Sequence, residues 1–242
     1  MFIAGTLLVV PVEATPVQAI VAAAHQAIGG RSAYPGVLAA GQLARGLSLL
    51  GFDTELIPAC TVVCYSDHGK TRFRDVGVWK EAPVVRADGS TDGHVVVWCD
   101  SLNRCIDLAP CQDRMLRGAS TPEEAFDHPV VLPVVGGRRQ LLDRQRQIMA
   151  PRPPFALHWT FFPDWAPLFD PLLDRHSAAI EQGGLAMAHA AVDLLAAVAV
   201  VRDLSQLDEW YPRLGDLLSG RQSLPTRAED GSPEKCDPSA SD

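Results

Sequence analysis

The chain has 242 residues, of which 47% are hydrophobic and 21% charged, and its formal net charge is −8. This length and composition predict one sizeable globular domain, or at most two small ones. The negative charge argues against nucleic acid or an anionic membrane surface as the main partner. The apolar start, residues 1–11, has no basic residue before Arg31, so we interpret it as a buried strand and not as a secretory signal. We therefore expect a cytoplasmic protein.

Two amphipathic helices are predicted after this strand. Residues 17–28 carry apolar side chains at helical spacing, and a Gly-Gly pair follows them. Residues 36–50 repeat this pattern, and Gly51 stands where a glycine commonly ends a helix. Residues 52–65 are rich in β-branched and aromatic side chains and predict a strand.

The rest of the chain alternates between predicted strands and helices. Residues 66–74 are polar and turn-like, and residues 223–242 lack apolar periodicity and predict a disordered acidic tail, which leaves residues 1–222 as a single domain. Further elements are predicted as a strand at 76–85, a helix start at 120–124, a strand at 128–135, a helical segment at 140–149, a strand at 155–162, and helices at 184–203 and 208–218. This order predicts an α+β fold with a mostly antiparallel sheet and C-terminal helices.

Residues 92–108 are the most informative stretch of the sequence. They predict a β-hairpin that places His94 at the start of one strand and Asp107 on the next. An acid within reach of an imidazole can hold its tautomer and leave the other ring nitrogen to act as a general base. The alternative is a histidine hydrogen-bonded at a strand end and an aspartate at a turn. A slip of a single residue in the register would move Asp107 to the other face.

Other residues carry weaker signals. Trp98 shares the parity of His94 along its strand, so it is a candidate wall of a binding pocket, with core packing as the alternative. The aromatic segment 158–165 could cover the same site or simply pack. The six cysteines form no Cys-x-x-Cys pair, so neither a zinc site nor any other cofactor is predicted.

Three motifs together resemble a known family. They are Leu-Leu-Gly-Phe at 49–52, Gly-His-Val-Val-Val at 93–97 and Ile-Asp-Leu at 106–108. Their layout resembles the transglutaminase-like branch of the papain-like cysteine peptidase superfamily, which includes arylamine N-acetyltransferases and the transglutaminase-like leader peptidases of lasso-peptide systems. The resemblance covers roughly residues 33–112 and implies a papain-like core. Gln112 also resembles a residue of some small members.

In that family a cysteine at a helix N-terminus attacks an acyl carbon, because the helix dipole and the histidine lower the pKa of its thiol. The resemblance implies this position for Gly36, which has no side chain, whereas His94 and Asp107 match the base and the residue that orients it. We therefore expect a catalytically degenerate protein. Its former cleft, near Tyr34, Gly36 and Trp98, would hold a peptide, a small acyl ligand or a protein partner.

Two alternatives stay open at this point. In the first, a relocated nucleophile makes the protein an active peptidase, amidase or acyltransferase that uses His94 and Asp107. The candidates are Ser32, just before the second helix, and Cys64, on the strand beside the hairpin. A serine would need strong activation, and a cysteine on a strand would lack the helix dipole. In the second, the chain is a structural or assembly protein that keeps only the fold.

Overall fold

The structure is a computed structural model, and it describes residues 10–28, 36–86, 91–108, 129–134, 136–143, 148–152 and 155–226. The strands are β1 (Thr54–Asp67), β2 (Lys70–Val76), β3 (His94–Cys99), β4 (Arg104–Asp107), β5 (Val130–Pro133), β6 (Ile148–Arg152) and β7 (Phe155–Phe161). The helices are α1 (Thr15–Ile28), α2 (Gly36–Leu49), α3 (Gly137–Leu141), α4 (Asp170–Arg175), α5 (Ser177–Ala199), α6 (Gln206–Trp210) and α7 (Pro212–Leu218). Short 3-10 helices span Val12–Ala14, Asp100–Leu102 and Pro163–Leu168.

All seven strands join one antiparallel sheet in the order β5-β4-β3-β1-β7-β6, and β2 also pairs with β1. The predicted α+β class with an antiparallel sheet is therefore confirmed. The long strand β1 pairs with β7 on one side. On its other side it pairs first with β3, where Ala59 lies opposite His94, and then with β2, from Thr61 onward. Strands β3 and β2 consequently lie end to end along the same edge of β1.

The two faces of the sheet bury two separate cores, because side chains alternate along each strand. The helix-side core joins Val95, Val97, Cys99 and Ile106 of the sheet to α1, α2 and α5. The inner core lies on the opposite face, which the sheet curls around. Its members are Ile57, Ala59, Val63, Val96, Trp98, Cys105, Val130, Leu132, Val134, Leu141, Leu157, Trp159 and Phe161.

Helix α2 ends as its sequence predicts. The N–H of Gly51 donates to the carbonyl of Ser48 at 3.0 Å, and the N–H of Phe52 donates to the carbonyl of Leu47 at 3.1 Å. These two bonds form a Schellman cap, which requires a left-handed residue, and Gly51 has a φ of +92°. The cap turns the chain directly into β1.

Replacing Gly51 with alanine is expected to lower the free energy of unfolding by about 1–2 kcal/mol, since an L-residue is strained at this φ. The added Cβ would also lie 2.6 Å from the Cβ of Arg213. Gly69→Ala is the control, because Gly69 has a φ of +76° but nothing within 4 Å of the added Cβ. Urea unfolding measures both variants, and equal losses would contradict a clash with Arg213.

Helix α5 is long and apolar enough, by length and composition alone, to cross a membrane. In the structure it lies along α1 and α2 and buries Leu185, Met187 and Leu195 against them. A core helix of a soluble protein has the same properties, and the fold is compatible with such a protein.

Four predicted segments differ from the structure. The polar stretch 66–74 is a hairpin of β1 and β2, in which His68 and Gly69 form the turn with φ of +47° and +76°. Segment 76–85 is not a strand beyond Val76, because Gly77 leaves the sheet at a φ of +90°, and only Val85 bridges to Thr91. Strand β2 was not predicted from the sequence. Most of its side chains are exposed, so the strand lacks the apolar alternation that marks a half-buried strand.

The predicted helix at 140–149 is also wrong. Helix α3 ends at Leu141, and Ile148 starts β6, whose pairing with β7 overrides the helical propensity of this charged segment. The predicted helix at 208–218 is interrupted at Tyr211, since a residue before proline avoids the helical region.

The C-terminal part of the described chain packs on the fold slightly beyond residue 222. Leu224 is buried in the helix-side core, and the Nε2–H of His189 donates to the carbonyl of Pro225 at 3.0 Å. The predicted strand at 1–11, except its last two residues, the helix start at 120–124 and the tail from residue 227 lie outside the described residues.

Candidate functional site

His94 is the first residue of β3 and lies at the gap between β2 and β3 along one edge of β1. Strand β2 ends at Val76, the chain leaves the sheet, and it returns at His94 on the same side of β1. The backbone of Gly77 packs against this point: a Cβ there would lie 2.7 Å from the carbonyl oxygen of Ala59 and 2.9 Å from the Cβ of His94. Only a glycine fits so close to the histidine, and its φ of +90° also favours glycine.

The hairpin register brings Asp107 to the imidazole. Trp98 pairs with Cys105 and Val97 pairs with Ile106. By continuation Asp107 stands opposite Val96, two residues from His94 and on the same face of the sheet. The Nε2 of His94 lies 2.9 Å from the Oδ2 of Asp107, so the two side chains that the sequence placed near each other are in hydrogen-bond contact.

Two further side chains donate to the same carboxylate oxygen. The indole Nε1–H of Trp159 donates to Oδ2 of Asp107 at 2.7 Å, and the hydroxyl of Thr61 donates to it at 3.4 Å. Strands β4 and β7 are separated by β3 and β1, and in a flat sheet these three strand spacings amount to about 14 Å. The indole reaches the carboxylate because the sheet curls around the inner core.

This cluster is closed to solvent. The side chain of His94 is 4% exposed and that of Asp107 is 0% exposed. An ionised carboxylate only accepts hydrogen bonds and an indole N–H only donates, so the network assigns the proton to Nε2 of His94 and leaves Nδ1 for any reacting group. The arrangement can orient an imidazole. It supplies a base only if a nucleophile or a substrate reaches Nδ1.

Sequence reasoning missed Thr61 and Trp159. Trp159 belongs to the aromatic segment 158–165, but nothing in the sequence ties it to Asp107, because the contact depends on the curl of the sheet. Thr61 is a β-branched residue in a strand of similar residues, and its hydroxyl gives no signal of a partner 46 positions away.

Helix α2, which begins at Gly36, packs on the other face of β3. Its buried residues Val37, Ala40 and Leu43 join Val95 in the helix-side core, whereas the Asp107 carboxylate contacts residues of the inner core. The helix that should carry the thiol and the His-Asp pair are thus on opposite faces of the sheet. Ser32, Tyr34 and Gln112 lie outside the described residues.

Trp98 is on the face of His94, as its parity predicts, but it is only 1% exposed. Its indole N–H donates to the Oδ1 of Asp100 at 3.2 Å. A side chain this deep in the inner core packs the sheet, which is the alternative that the sequence left open. Trp98 therefore does not form the wall of an open pocket.

Cys64 lies away from the imidazole. It is five residues along β1 from Ala59, the partner of His94, which is about 16 Å of strand. Its parity also differs from that of Ala59, so it points to the opposite face. Burial raises the pKa of its thiol, which opposes formation of the thiolate that a nucleophile needs.

The other described thiols are no better suited. Burial raises the pKa of Cys60 to about 12, with a smaller contribution from Asp75, and raises the pKa of Cys99 to about 12 as well. Burial also holds the pKa of Cys105 well above its usual value. Among the described residues no group of three or more histidine, cysteine or acidic side chains could hold a metal ion.

These raised pKa values predict slow thiol chemistry. In a background with Cys111→Ser and Cys236→Ser, Ellman's reagent at mildly alkaline pH should label the native protein more slowly than the urea-unfolded chain, because a raised pKa leaves less thiolate. Cys64 should react first, since Cys60, Cys99 and Cys105 are buried. A thiol that reacts faster in the folded state would contradict the prediction and mark an activated nucleophile.

Aromatic side chains border the His94 end of the sheet. Phe162 follows β7, and its N–H donates to the carbonyl of Pro58 at 2.8 Å, next to the row in which Phe161, Ala59 and His94 lie side by side. Phe162 and Trp165 stack with ring centroids 4.1 Å apart, and both are half-buried. The segment predicted as a cover therefore begins beside the strand row that contains His94, two strands away from it.

Comparison with known proteins returned no relative: no family model, curated protein or solved structure matches the chain.

Proposed function

We propose that this chain is a catalytically silent protein of the transglutaminase-like type, which binds a ligand and does not turn it over. The observation that carries the proposal is the closed cluster around Asp107, in which Trp159, His94 and Thr61 all donate to one carboxylate oxygen. In this proposal the pair that would serve acyl transfer in the family stabilises the fold.

The missing nucleophile supports the same conclusion. Gly36 stands where the resemblance implies a cysteine, and α2 packs on the face of β3 opposite the carboxylate. Among the described residues every cysteine has a thiol pKa raised by burial. A relocated cysteine nucleophile would need the opposite shift.

The ligand in this proposal is a peptide or an acyl-type molecule held at the His94 end of the sheet. The half-buried Phe162–Trp165 stack supports this placement, because partly exposed aromatic side chains offer a large apolar contact area to a ligand. The stack adjoins the strand row that contains His94.

A random peptide library displayed on phage tests the binding arm of this proposal. Peptides enriched on the folded full chain should lose at least about tenfold in affinity on Trp165→Ala, because an aromatic anchor typically carries much of the binding energy. Trp210→Ala is the matched control, since Trp210 is exposed on α6, and it should leave the affinity unchanged. If no enriched peptide depends on Trp165, the proposed location is wrong.

A further inference from the structure

Strand β2 forms an edge of the sheet. It pairs with β1 along its full length, and no other strand of the described chain pairs with it. An edge strand presents backbone N–H and C=O groups to any extended segment that comes alongside. Because β2 continues the line of β3, a segment added to β2 would continue the line of β4.

The side chains on one face of β2 are basic, although the chain as a whole is acidic. Lys70, Arg72 and Arg74 alternate along one face, in a protein whose net charge is −8. Phe73 points to the other face, beside Cys64, and is 68% exposed. Basic residues on an edge commonly discourage pairing, but a large exposed phenylalanine in the middle of the strand favours contact with a partner.

We propose that β2 binds an extended acidic segment of a partner protein as an added strand. Backbone hydrogen bonds would supply affinity, and alternate side chains would supply selectivity. Acidic side chains of the segment would lie beside Lys70, Arg72 and Arg74, and an apolar side chain would cover Phe73. This surface is separate from the Phe162–Trp165 stack, so the proposal of strand addition does not depend on the function proposed above.

The test uses an N-acetylated peptide of alternating Glu and Val, as long as β2, titrated into the nitrogen-15-labelled full chain at low salt. Amide resonances of Lys70–Val76 should shift. Arg72→Glu should weaken binding about tenfold, since it converts attraction across the strand pair into repulsion. Arg139→Glu, an exposed arginine on α3, is the matched control and should change binding by less than about twofold.

Two modified peptides test the backbone contacts. In the first peptide, N-methylation of the alternate amides that face β2 should abolish binding. In the second, N-methylation of the amides that face away from β2 should leave binding intact. A peptide of alternating Lys and Val should not bind.

Several results would overturn the proposal. They are unchanged β2 resonances, equal effects of Arg72→Glu and Arg139→Glu, or equal binding of the two methylated peptides. Slow hydrogen exchange along the outer edge of β2 in the free chain would show that residues of this chain already occupy it. A dimer that Arg72→Glu dissociates would assign the edge to a second copy.

Discussion

Replacing Asp107 with alanine is expected to lower the free energy of unfolding by about 3–5 kcal/mol, because each buried donor left without an acceptor costs about 1–3 kcal/mol. The variant removes the common acceptor of three donors and leaves the indole N–H of Trp159 and the Nε2–H of His94 without it in a closed core. Urea unfolding of the full chain measures the loss.

Two further variants sharpen this prediction. Asp107→Asn can place its amide oxygen at the Oδ2 position, where it still accepts from Trp159 and His94 but without the negative charge, so it should cost less, about 1–2 kcal/mol. Asp75→Ala removes an exposed aspartate from β2 and should change stability by less than about 0.5 kcal/mol. An Asp107→Ala protein as stable as the Asp75→Ala protein would show that the cluster is not a stabilising network.

Replacing Trp159 with phenylalanine should lower the free energy of unfolding by about 2–3 kcal/mol. A hydrogen bond to a charged acceptor is lost, together with part of the buried ring. The 2.7 Å bond from Trp159 also links β7 to β4, so its loss should loosen the curl of the sheet. Chemical unfolding and hydrogen exchange in β7 measure these effects.

Trp98→Phe is the matched control for this prediction. Trp98 is as deeply buried in the inner core and loses the same volume, but its indole donates to the exposed Asp100. Its cost should therefore be smaller. The double variant Trp159→Phe with Asp107→Asn should cost less than the sum of the single changes by about 1 kcal/mol or more, because the two residues share one hydrogen bond. Additive costs would contradict a direct interaction.

Local patterns allowed much of the fold to be predicted. The apolar spacing of α1 and α2 and the glycine that ends α2 are signals within a few residues, and the structure contains both helices. The hairpin of β3 and β4 was equally readable, because a Val-rich run, a polar turn and a short apolar run succeed one another. These elements needed no information from distant parts of the chain.

The long-range geometry of the fold could not be predicted from the sequence. The sequence suggested that His94 and Asp107 could meet, but the face on which they meet depends on register, which a single residue can reverse. The contact of Trp159 depends on how far seven strands curl, and no local pattern encodes this. Strand β2 was missed because edge strands exposed on most sides carry no apolar alternation.

The central claim is that the His94–Asp107 pair stabilises the fold and performs no acyl chemistry. Hydrolysis of p-nitrophenyl acetate by the wild-type chain and by His94→Gln tests it most directly, since a glutamine amide can still donate to Asp107 and preserve the fold. We expect equal rates for both proteins. A rate that falls about a hundredfold or more in His94→Gln, the usual cost of losing a general base, would contradict the claim and restore an active enzyme.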